Sequence, residues 1–246
     1  MNEELNQVKK KKEFSYLPDS LIERALILSK KDIKKCRAIL RKYFLVFSTN
    51  KVLKINDERI LKSHFSSKNR DYPFFYNKIF EENKNFSNIL DLGSGINSFS
   101  YLFLKEILGE VNYICIEAEE RIVQKTNDFF NKKGFLKARA IQEDLFNLGK
   151  IEEIISSLNS PTAIFLFQVI DALEFFERDY SKKLLLMIKN QINEKDLIVI
   201  SMPTKTISKK KSFEAKRTWL KLFLEENFFV EDFFLGDERI FKCRKK

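Results

Sequence analysis

Two spacings of apolar residues divide the chain, and the change falls near residue 88. From Pro18 to Phe47, apolar residues recur every three or four positions, which is the spacing of helices that bury one face. Asp19 or Ser20 would cap the first of these helices, and Asp32 would begin a second. The apolar positions are Leu21, Ile22, Ala25, Leu28, Ile33, Cys36, Ile39, Leu40 and Phe44. This stretch predicts a helical N-terminal appendage.

From Asn88 onward, short apolar runs alternate with longer amphipathic segments, a pattern typical of α/β folds. The runs predict strands at Asn88–Leu92, Val111–Ile116, Ala138–Ile141, Ala163–Phe167, Leu197–Ser201, Phe228–Phe234 and Arg239–Cys243. Helical stretches separate the first five, so these strands would pair in parallel, whereas the short Leu235–Glu238 turn would make the last two an antiparallel hairpin. We predict a seven-stranded doubly wound sheet over residues 86–246, preceded by the helical region at 1–85.

The charge of the chain is uneven. Its 45 Lys and Arg exceed its 35 Asp and Glu, which gives a formal net charge of +10. Nine Lys and three Arg against six acids lie in the first 50 residues, so the helical appendage holds more than half of the excess. An excess of this size favours an anionic partner such as nucleic acid or a membrane surface.

Composition also excludes several classes of protein. The 246 residues contain one His and three Cys that lie far apart, which excludes paired zinc motifs and disulfide scaffolds. No apolar run approaches the ~20 residues needed to cross a bilayer. We therefore expect a cytoplasmic monomer with no metal site and no membrane partner.

The most informative motif follows the first predicted strand and reads Asp91-Leu92-Gly93-Ser94-Gly95. Gly93 and Gly95 would let the backbone approach a ligand at the carboxyl edge of the sheet, where open α/β sheets bind cofactors. A dinucleotide site would have a third glycine where this chain has Ser98. The remaining Asp-x-Gly-x-Gly pattern resembles motif I of the class I S-adenosylmethionine-dependent methyltransferases.

Further acids follow the next two predicted strands. Glu117 ends the second strand, where a carboxylate can accept both ribose hydroxyls of a nucleoside. Glu143-Asp144-Leu145 ends the third strand, where an acid followed by an apolar residue suits the amine and ring of adenine. Each acid alone could be a solvated loop residue. Their occurrence at successive strand ends favours a nucleoside-containing cofactor.

The absence of one sequence motif and of cysteines in two loops limits the possible methyl acceptors. The fourth strand leads into Phe167-Gln168-Val169-Ile170, which lacks the Asn/Asp-Pro-Pro-aromatic motif of many exocyclic-amine methyltransferases. No Cys lies in the loops after strands four and five, which argues against a covalent cysteine mechanism. A nucleophile that needs little activation, such as guanine N7, fits this pattern. His64 could serve as a general base, but a lone His is more often a packing or capping residue.

Taken in order, the motifs resemble one family, the 16S rRNA guanine-N7 methyltransferases of the aminoglycoside-resistance type, over residues 16–246. The segment from His64 to Arg70 resembles the family's His-x-Ser-Thr-x-Glu-Arg, and Gly93–Asn97 resembles its Gly-Cys-Gly-x-Asn. Ser201-Met202-Pro203-Thr204-Lys205-Thr206-Ile207 resembles its Ser-Phe-Pro-Thr-Arg-Ser-Leu, and Phe213-Glu214 follows where the family has Met-Glu. The chain departs from the family at Asn69, at Gln168 and at Ser208–Lys211, which replaces a Gly-rich tract.

The resemblance implies a Rossmann-like methyltransferase sheet that binds S-adenosylmethionine and acts on small-subunit rRNA, or on the assembled small subunit, near the decoding site. Arg70 would hold the cofactor carboxylate, since a guanidinium pairs with a carboxylate in a bidentate way. The expected cofactor-binding residues are Arg70, Asp91, Gly93, Gly95, Asn97, Glu117, Glu143, Asp144, Leu145 and Gln168. The candidates for positioning the target are Gln168, Ser201, Pro203 and Lys205, and no catalytic residue is assigned.

The basic helical region at 1–85 and a basic stretch after the fifth predicted strand are the expected RNA-docking surfaces. Between Lys205 and Lys221 the single acid is Glu214, and the expected RNA-binding residues are Lys205, Lys209, Lys210, Lys211, Lys216 and Arg217. Two alternatives stay open. One is a methyltransferase for another RNA or a small molecule, and the other is a non-catalytic ribosome-binding or assembly module with a vestigial cofactor pocket.

Overall fold

The computed structural model describes residues 2–64, 67–204 and 217–246. In these residues seven strands form one sheet in the order β3-β2-β1-β4-β5-β7-β6. They are β1 (Asn88–Leu92), β2 (Asn112–Glu117), β3 (Ala138–Gln142), β4 (Thr162–Phe167), β5 (Leu197–Pro203), β6 (Phe228–Leu235) and β7 (Glu238–Lys245). The first five are parallel, and β7 is antiparallel to β5 and β6. The predicted doubly wound α/β sheet is confirmed, with every strand end within two residues of its predicted position.

Eleven α-helices accompany the sheet in the described residues. They are α1 (Asn2–Lys9), α2 (Asp19–Leu28), α3 (Ile33–Tyr43), α4 (Asn50–Leu53), α5 (Tyr72–Ile79), α6 (Tyr101–Leu108), α7 (Glu120–Lys133), α8 (Leu148–Ser156), α9 (Ile170–Phe176), α10 (Tyr180–Gln191) and α11 (Thr218–Asn227). Short 3-10 helices lie at Lys12–Phe14, Leu45–Phe47, Glu58–Lys62 and Asn97–Ser100. The helix α1 lies before the predicted appendage and was not predicted. Its sequence is polar and buries only Leu5 and Val8, so it shows no apolar period.

The sheet is covered on both faces, which explains why its central strands are continuous apolar runs. Every residue of β1 and β4 is buried. On one face, Phe165 of β4 packs among the rings of Tyr76, Phe80 and Phe167. On the other face, Ile164 belongs to a second core formed with α8, α10 and α11. The result is a three-layer α/β/α arrangement.

The first three helices enclose a core of their own and dock beside the carboxyl ends of the strands. Phe176 of α9 completes that core. Ser20 Oγ at the start of α2 donates a hydrogen bond of 2.7 Å to Asp144 Oδ2, just beyond β3. Arg24 Nη1 lies 2.9 Å from Glu177 Oε2, just beyond α9. These contacts place the basic helices at the edge of the sheet where the acids of the sequence motifs cluster.

The segment between these helices and β1 packs with the sheet. Val52, Ile60, Tyr76 and Phe80 all belong to the core on one sheet face. The division of the chain at residue 85 therefore stays a prediction, and the packing groups the second half of the 1–85 region with the sheet.

In the described part of the chain, no helix is long and apolar enough to span a membrane. These residues also contain no group of three or more His, Cys, Asp or Glu side chains that could hold a metal ion. Cys36, Cys115 and Cys243 are buried free thiols.

Removal of the Phe165 ring tests the packing of the central strand. Phe165 is fully buried, so Phe165→Ala should lower the free energy of unfolding by about 3–5 kcal/mol through lost apolar contact and a cavity. Urea denaturation measures this change. Phe229→Ala is the matched control, because Phe229 is 65% exposed and should change stability by no more than about 0.5 kcal/mol. Equal effects of the two substitutions would contradict the described packing.

Candidate active site

A cavity of about 300 Å³ opens at the carboxyl ends of the parallel strands. We call it the main cavity. It is lined by the turn after β1, the ends of β2, β3 and β4, and the segment of residues 42–47 that follows α3. We call this last segment the N-terminal wall. The main cavity lies at the edge of the sheet where doubly wound folds bind ligands.

The structure brings most of the sequence-predicted site residues to this cavity. Arg70, Gly93, Asn97, Glu117, Glu143, Asp144, Leu145, Gln168 and Pro203 line it. Gly95 lies between two lining residues, and Asp91 and Ser201 each lie two residues from one, but none of the three lines the cavity. Lys205, Lys209, Lys210, Lys211 and Lys216 lie outside the described residues. Arg217 is described, and its guanidinium pairs with Asp171 and donates from Nη1 to Pro203 O at 3.0 Å.

The turn after β1 requires its glycines. Gly93 has a φ of +70° and Gly95 a φ of +48°, which are left-handed conformations that other residues rarely adopt. A Cβ on Gly93 would lie 2.6 Å from Cγ1 of Val169, and a Cβ on Gly95 would lie 3.2 Å from the ring of Phe47. The absence of side chains at these two positions therefore lets the loop after β4 and the N-terminal wall close on the turn.

Glu117 is held at the end of β2 by two backbone N–H groups. Gly95 N donates to its Oε2 at 2.9 Å, and Glu119 N donates to its Oε1 at 3.0 Å. Burial raises the pKa of Glu117 to about 7, and the two N–H donors only partly oppose that rise. Each carboxylate oxygen has a second lone pair, so Glu117 can still accept hydrogen bonds from a ligand.

Asp91 is buried behind the turn and is only partly satisfied. Its Oδ2 accepts hydrogen bonds from Tyr113 Oη at 2.8 Å and from Asn97 Nδ2 at 2.7 Å. Its Oδ1 is buried with no hydrogen-bond partner among the described residues. Burial raises the pKa of Asp91 to about 6. A buried carboxylate oxygen without a partner is costly, and such atoms are typical of ligand sites.

Arg70 has a partner that sequence reasoning missed. Its Nε donates to Glu238 Oε1 at 2.8 Å and its Nη2 to Glu238 Oε2 at 2.6 Å, which is a bidentate pair. Its Nη1 donates to Asn97 Oδ1 at 3.0 Å. Both side chains of the pair are over nine-tenths buried. A guanidinium has five N–H bonds, so two remain for a ligand after these three contacts.

Glu238 gave no signal in the sequence, because it reads there as one of four residues in a hairpin turn. In the structure it is the first residue of β7 and is paired with Pro203 of β5, at the same edge as the main cavity. Burial opposes its ionisation, but the charge and hydrogen bonds of Arg70 outweigh burial and hold the pKa of Glu238 below its usual range. Gln168 and Ser201 also lower the pKa of this carboxylate.

The N-terminal wall was likewise missed. The helical appendage was expected to dock RNA, yet Lys42, Tyr43, Phe44, Val46 and Phe47 line the main cavity. The ring of Phe47 lies 4.3 Å from that of His64, centroid to centroid, and burial lowers the pKa of His64. This contact favours the interpretation of His64 as a packing residue.

Asp144 joins α2 to the sheet. Its Oδ2 accepts from Ser20 and its Oδ1 accepts from Phe146 N at 2.9 Å. Burial raises the pKa of Asp144. The acid expected to bind adenine is therefore also the anchor of α2, and its role toward adenine stays a prediction.

Gln168 has a left-handed backbone conformation. Its φ of +58° lies in the left-handed region, which a residue with a side chain adopts only when its surroundings enforce it. Its N–H donates to Ser201 O at 2.9 Å. This conformation turns the backbone away from the direction of β4 where β4 reaches the cavity.

Solved structures share this architecture. The 16S rRNA methylase ArmA superposes with a TM-score of 0.54 at 20% identity, over 80% of this chain and 97% of its own. An O-methyltransferase family protein from Burkholderia thailandensis gives 0.56 at 9% identity, over 92% of this chain and 71% of its own. The chain has a Rossmann-like methyltransferase fold. Precorrin-6y C5,15-methyltransferase from Geobacter metallireducens GS-15 shares it, with a TM-score of 0.50 at 12% identity, over 71% of this chain and 87% of its own.

No protein-family model matches the chain, and no curated protein sequence matches it. At these identities the likeness establishes the fold alone. Within that methyltransferase fold, the turn at Gly93–Asn97 and the acid Glu117 occupy the strand ends where the sequence motifs place them.

The Arg70–Glu238 pair makes a prediction for stability. Glu238→Gln leaves the buried guanidinium without its counter-charge, so the free energy of unfolding should fall by about 3–5 kcal/mol. The double variant Arg70→Met/Glu238→Gln should lose less than the sum of the two single variants, because the unpaired charge is gone. Guanidinium denaturation measures all three.

The exposed Asp57–Arg59 pair is the matched control for this experiment. Arg59 Nη2 lies 2.6 Å from Asp57 Oδ2 with Arg59 largely exposed, so Asp57→Asn should leave stability unchanged within error. A Glu238→Gln variant as stable as the parent protein would show that the buried pair does not hold the site together.

Proposed function

We propose that the protein is an S-adenosylmethionine-dependent methyltransferase, and the observation that carries this is the main cavity itself. It combines a glycine turn that has no room for side chains, an acid at the end of β2 and a second acid at the end of β3. The buried Asp91, whose Oδ1 has no partner among the described residues, adds negative charge behind the turn. These features fit a nucleoside joined to an amino acid.

Each part of such a cofactor has residues to hold it. Glu117 would accept the two ribose hydroxyls, and Asp144 with Leu145 would bind adenine. The two remaining N–H bonds of Arg70 would bind the carboxylate, and Asp91 would attract the ammonium group. Because Glu238 already compensates the charge of Arg70, the contact from Arg70 contributes direction more than net attraction.

The proposed acceptor is guanine N7 in small-subunit rRNA. The ordered motif resemblance supports it, as does the likeness of fold to a 16S rRNA methylase over nearly all of that chain. When bound, the cofactor supplies a methyl group on a sulfonium, and transfer to N7 breaks the S–CH3 bond, leaves its electron pair on sulfur and forms the N–CH3 bond without releasing a proton. The chain then needs to align the acceptor and exclude water rather than supply a base.

Basic residues on the N-terminal helices support an RNA substrate. Lys34, Lys35 and Lys42 are exposed on or beside α3, which leads directly into the N-terminal wall. The RNA-docking role of Lys205, Lys209, Lys210, Lys211 and Lys216 remains part of the proposal, together with Arg217. Phosphate contacts by these residues would make binding fall with salt.

Cofactor affinity should depend on pH through Glu117. The ionised carboxylate accepts the ribose hydroxyls and the protonated form is a poorer acceptor, so affinity should be lost as pH falls through the pKa of about 7. Between pH 8 and pH 6 the protonation of Glu117 should raise the Kd for S-adenosylmethionine by about 10-fold. Isothermal titration calorimetry measures this.

The control is Glu117→Gln, which should bind more weakly at pH 8 and lose most of the pH dependence. A residual rise of about twofold is expected from Asp91, whose pKa is about 6. An unchanged pH profile in Glu117→Gln would remove Glu117 from the binding site.

The product should be 7-methylguanosine in small-subunit rRNA. Mass spectrometry of nucleosides from small subunits incubated with the protein and S-adenosylmethionine tests this. Gly93→Ala should abolish the product, because its Cβ would collide with Val169, whereas Gly149→Ala should retain it because a Cβ there meets nothing within 4 Å. Ribose-methylated nucleosides or methyladenosine alone would contradict the N7 assignment.

A further inference from the structure

A second cavity of about 240 Å³ adjoins the main cavity. Arg70, Gln168 and Pro203 line both. The second cavity continues beyond them along the sheet, between the start of α5 and the turn that joins β6 to β7. The two cavities therefore meet at the strained residue Gln168 and at the Arg70–Glu238 pair.

The strand order gives this second cavity a direction. Along the carboxyl edge the sheet runs β3-β2-β1-β4-β5-β7. The proposed adenine, ribose and amino-acid sites lie at the ends of β3, β2 and β1 in that order, so the reactive end of the cofactor approaches β4. Gln168 at the end of β4 and Pro203 at the end of β5 are next in line, and both line the second cavity.

We propose that the second cavity receives the acceptor ring, a nucleobase turned out of its RNA strand, with Phe74 as its stacking platform. This inference rests on the proposed function. Phe74 lines the cavity, and this large apolar side chain is 61% exposed on the solvent-facing side of α5. Asp71 Oδ1 caps that helix by accepting from Phe74 N at 3.1 Å, which fixes the residue at the cavity mouth. Exposed aromatic rings are the usual stacking partners of unpaired bases.

The charges around the second cavity suit a neutral ring and oppose a phosphate. Among the described residues that line it are the carboxylates of Asp71, Asp237 and Glu238 and one guanidinium, that of Arg70. Methyl transfer moves the positive charge from sulfur to the acceptor ring, and carboxylates stabilise a cation formed beside them. The phosphates of the strand would stay outside the second cavity.

Arg217 adds a further role that the sequence analysis did not assign. It is largely buried and donates to the carbonyl oxygen of Pro203 while it pairs with Asp171. It therefore links Pro203, in the wall shared by the two cavities, to Asp171 of α9.

The test compares Phe74→Ala, Phe74→Tyr and the control Phe229→Ala in the full-length protein. Phe229 has nearly the same exposure as Phe74 but lines neither cavity. Three quantities are measured: the Kd for S-adenosylmethionine by calorimetry, the Kd for purified small ribosomal subunits, and the single-turnover rate of methyl transfer with both saturating.

Phe74→Ala should slow transfer by about 10- to 100-fold, the effect of removing one stacking platform, and leave both Kd values within about threefold. Phe74→Tyr should recover most of the rate, since the ring is restored, and Phe229→Ala should match the parent protein. Transfer by Phe74→Ala at the parent rate would overturn the inference and leave the proposed function standing. A parent protein that binds the cofactor but methylates no small-subunit RNA would overturn the proposed function itself.

Discussion

The buried pair of Arg70 and Glu238 joins parts of the chain that are far apart in sequence, and the site depends on it. Removing both charges from water is expensive, and a bidentate geometry with further hydrogen bonds offsets that expense. Arg70 reaches the turn after β1 through Asn97, which in turn binds Asp91. Gln168, at the end of β4, also stabilises the ionised form of Glu238. One hydrogen-bonded network thus sets the spacing between three strand ends and the segment before α5.

That spacing produces both cavities. Arg70 lines the main cavity and the second cavity, so a shift of the pair changes both at once. The N-terminal helices add a second constraint, because Phe47 of the N-terminal wall lies against Gly95 and Ser20 of α2 donates a hydrogen bond to Asp144. Under the proposed function, a ligand that orders the wall and an RNA that docks on the N-terminal helices would be coupled, and the coupling would be reciprocal by linkage.

The sheet could be predicted almost completely from the sequence, whereas the site could be predicted only in part. Buried parallel strands such as β1 and β4 leave continuous apolar runs, and a glycine turn with an acid at each strand end is a local signal. Glu238 and the N-terminal wall leave no such signal, because their positions depend on how β7 and α3 pack against distant strands. The helix α1 was missed for a different reason, since two buried residues are too few to create a period. Arg70 was predicted from the family resemblance, but its pairing with Glu238 depends on the tertiary structure.

Hydrogen–deuterium exchange with and without saturating S-adenosylmethionine tests the central claim, that one cofactor site is built jointly by the sheet and the N-terminal wall. If the site is built in this way, binding should slow exchange in all three of the segments 42–47, 93–97 and 143–146. Unchanged exchange in residues 42–47 while the other two segments are protected, or protection in none of the three, would contradict it.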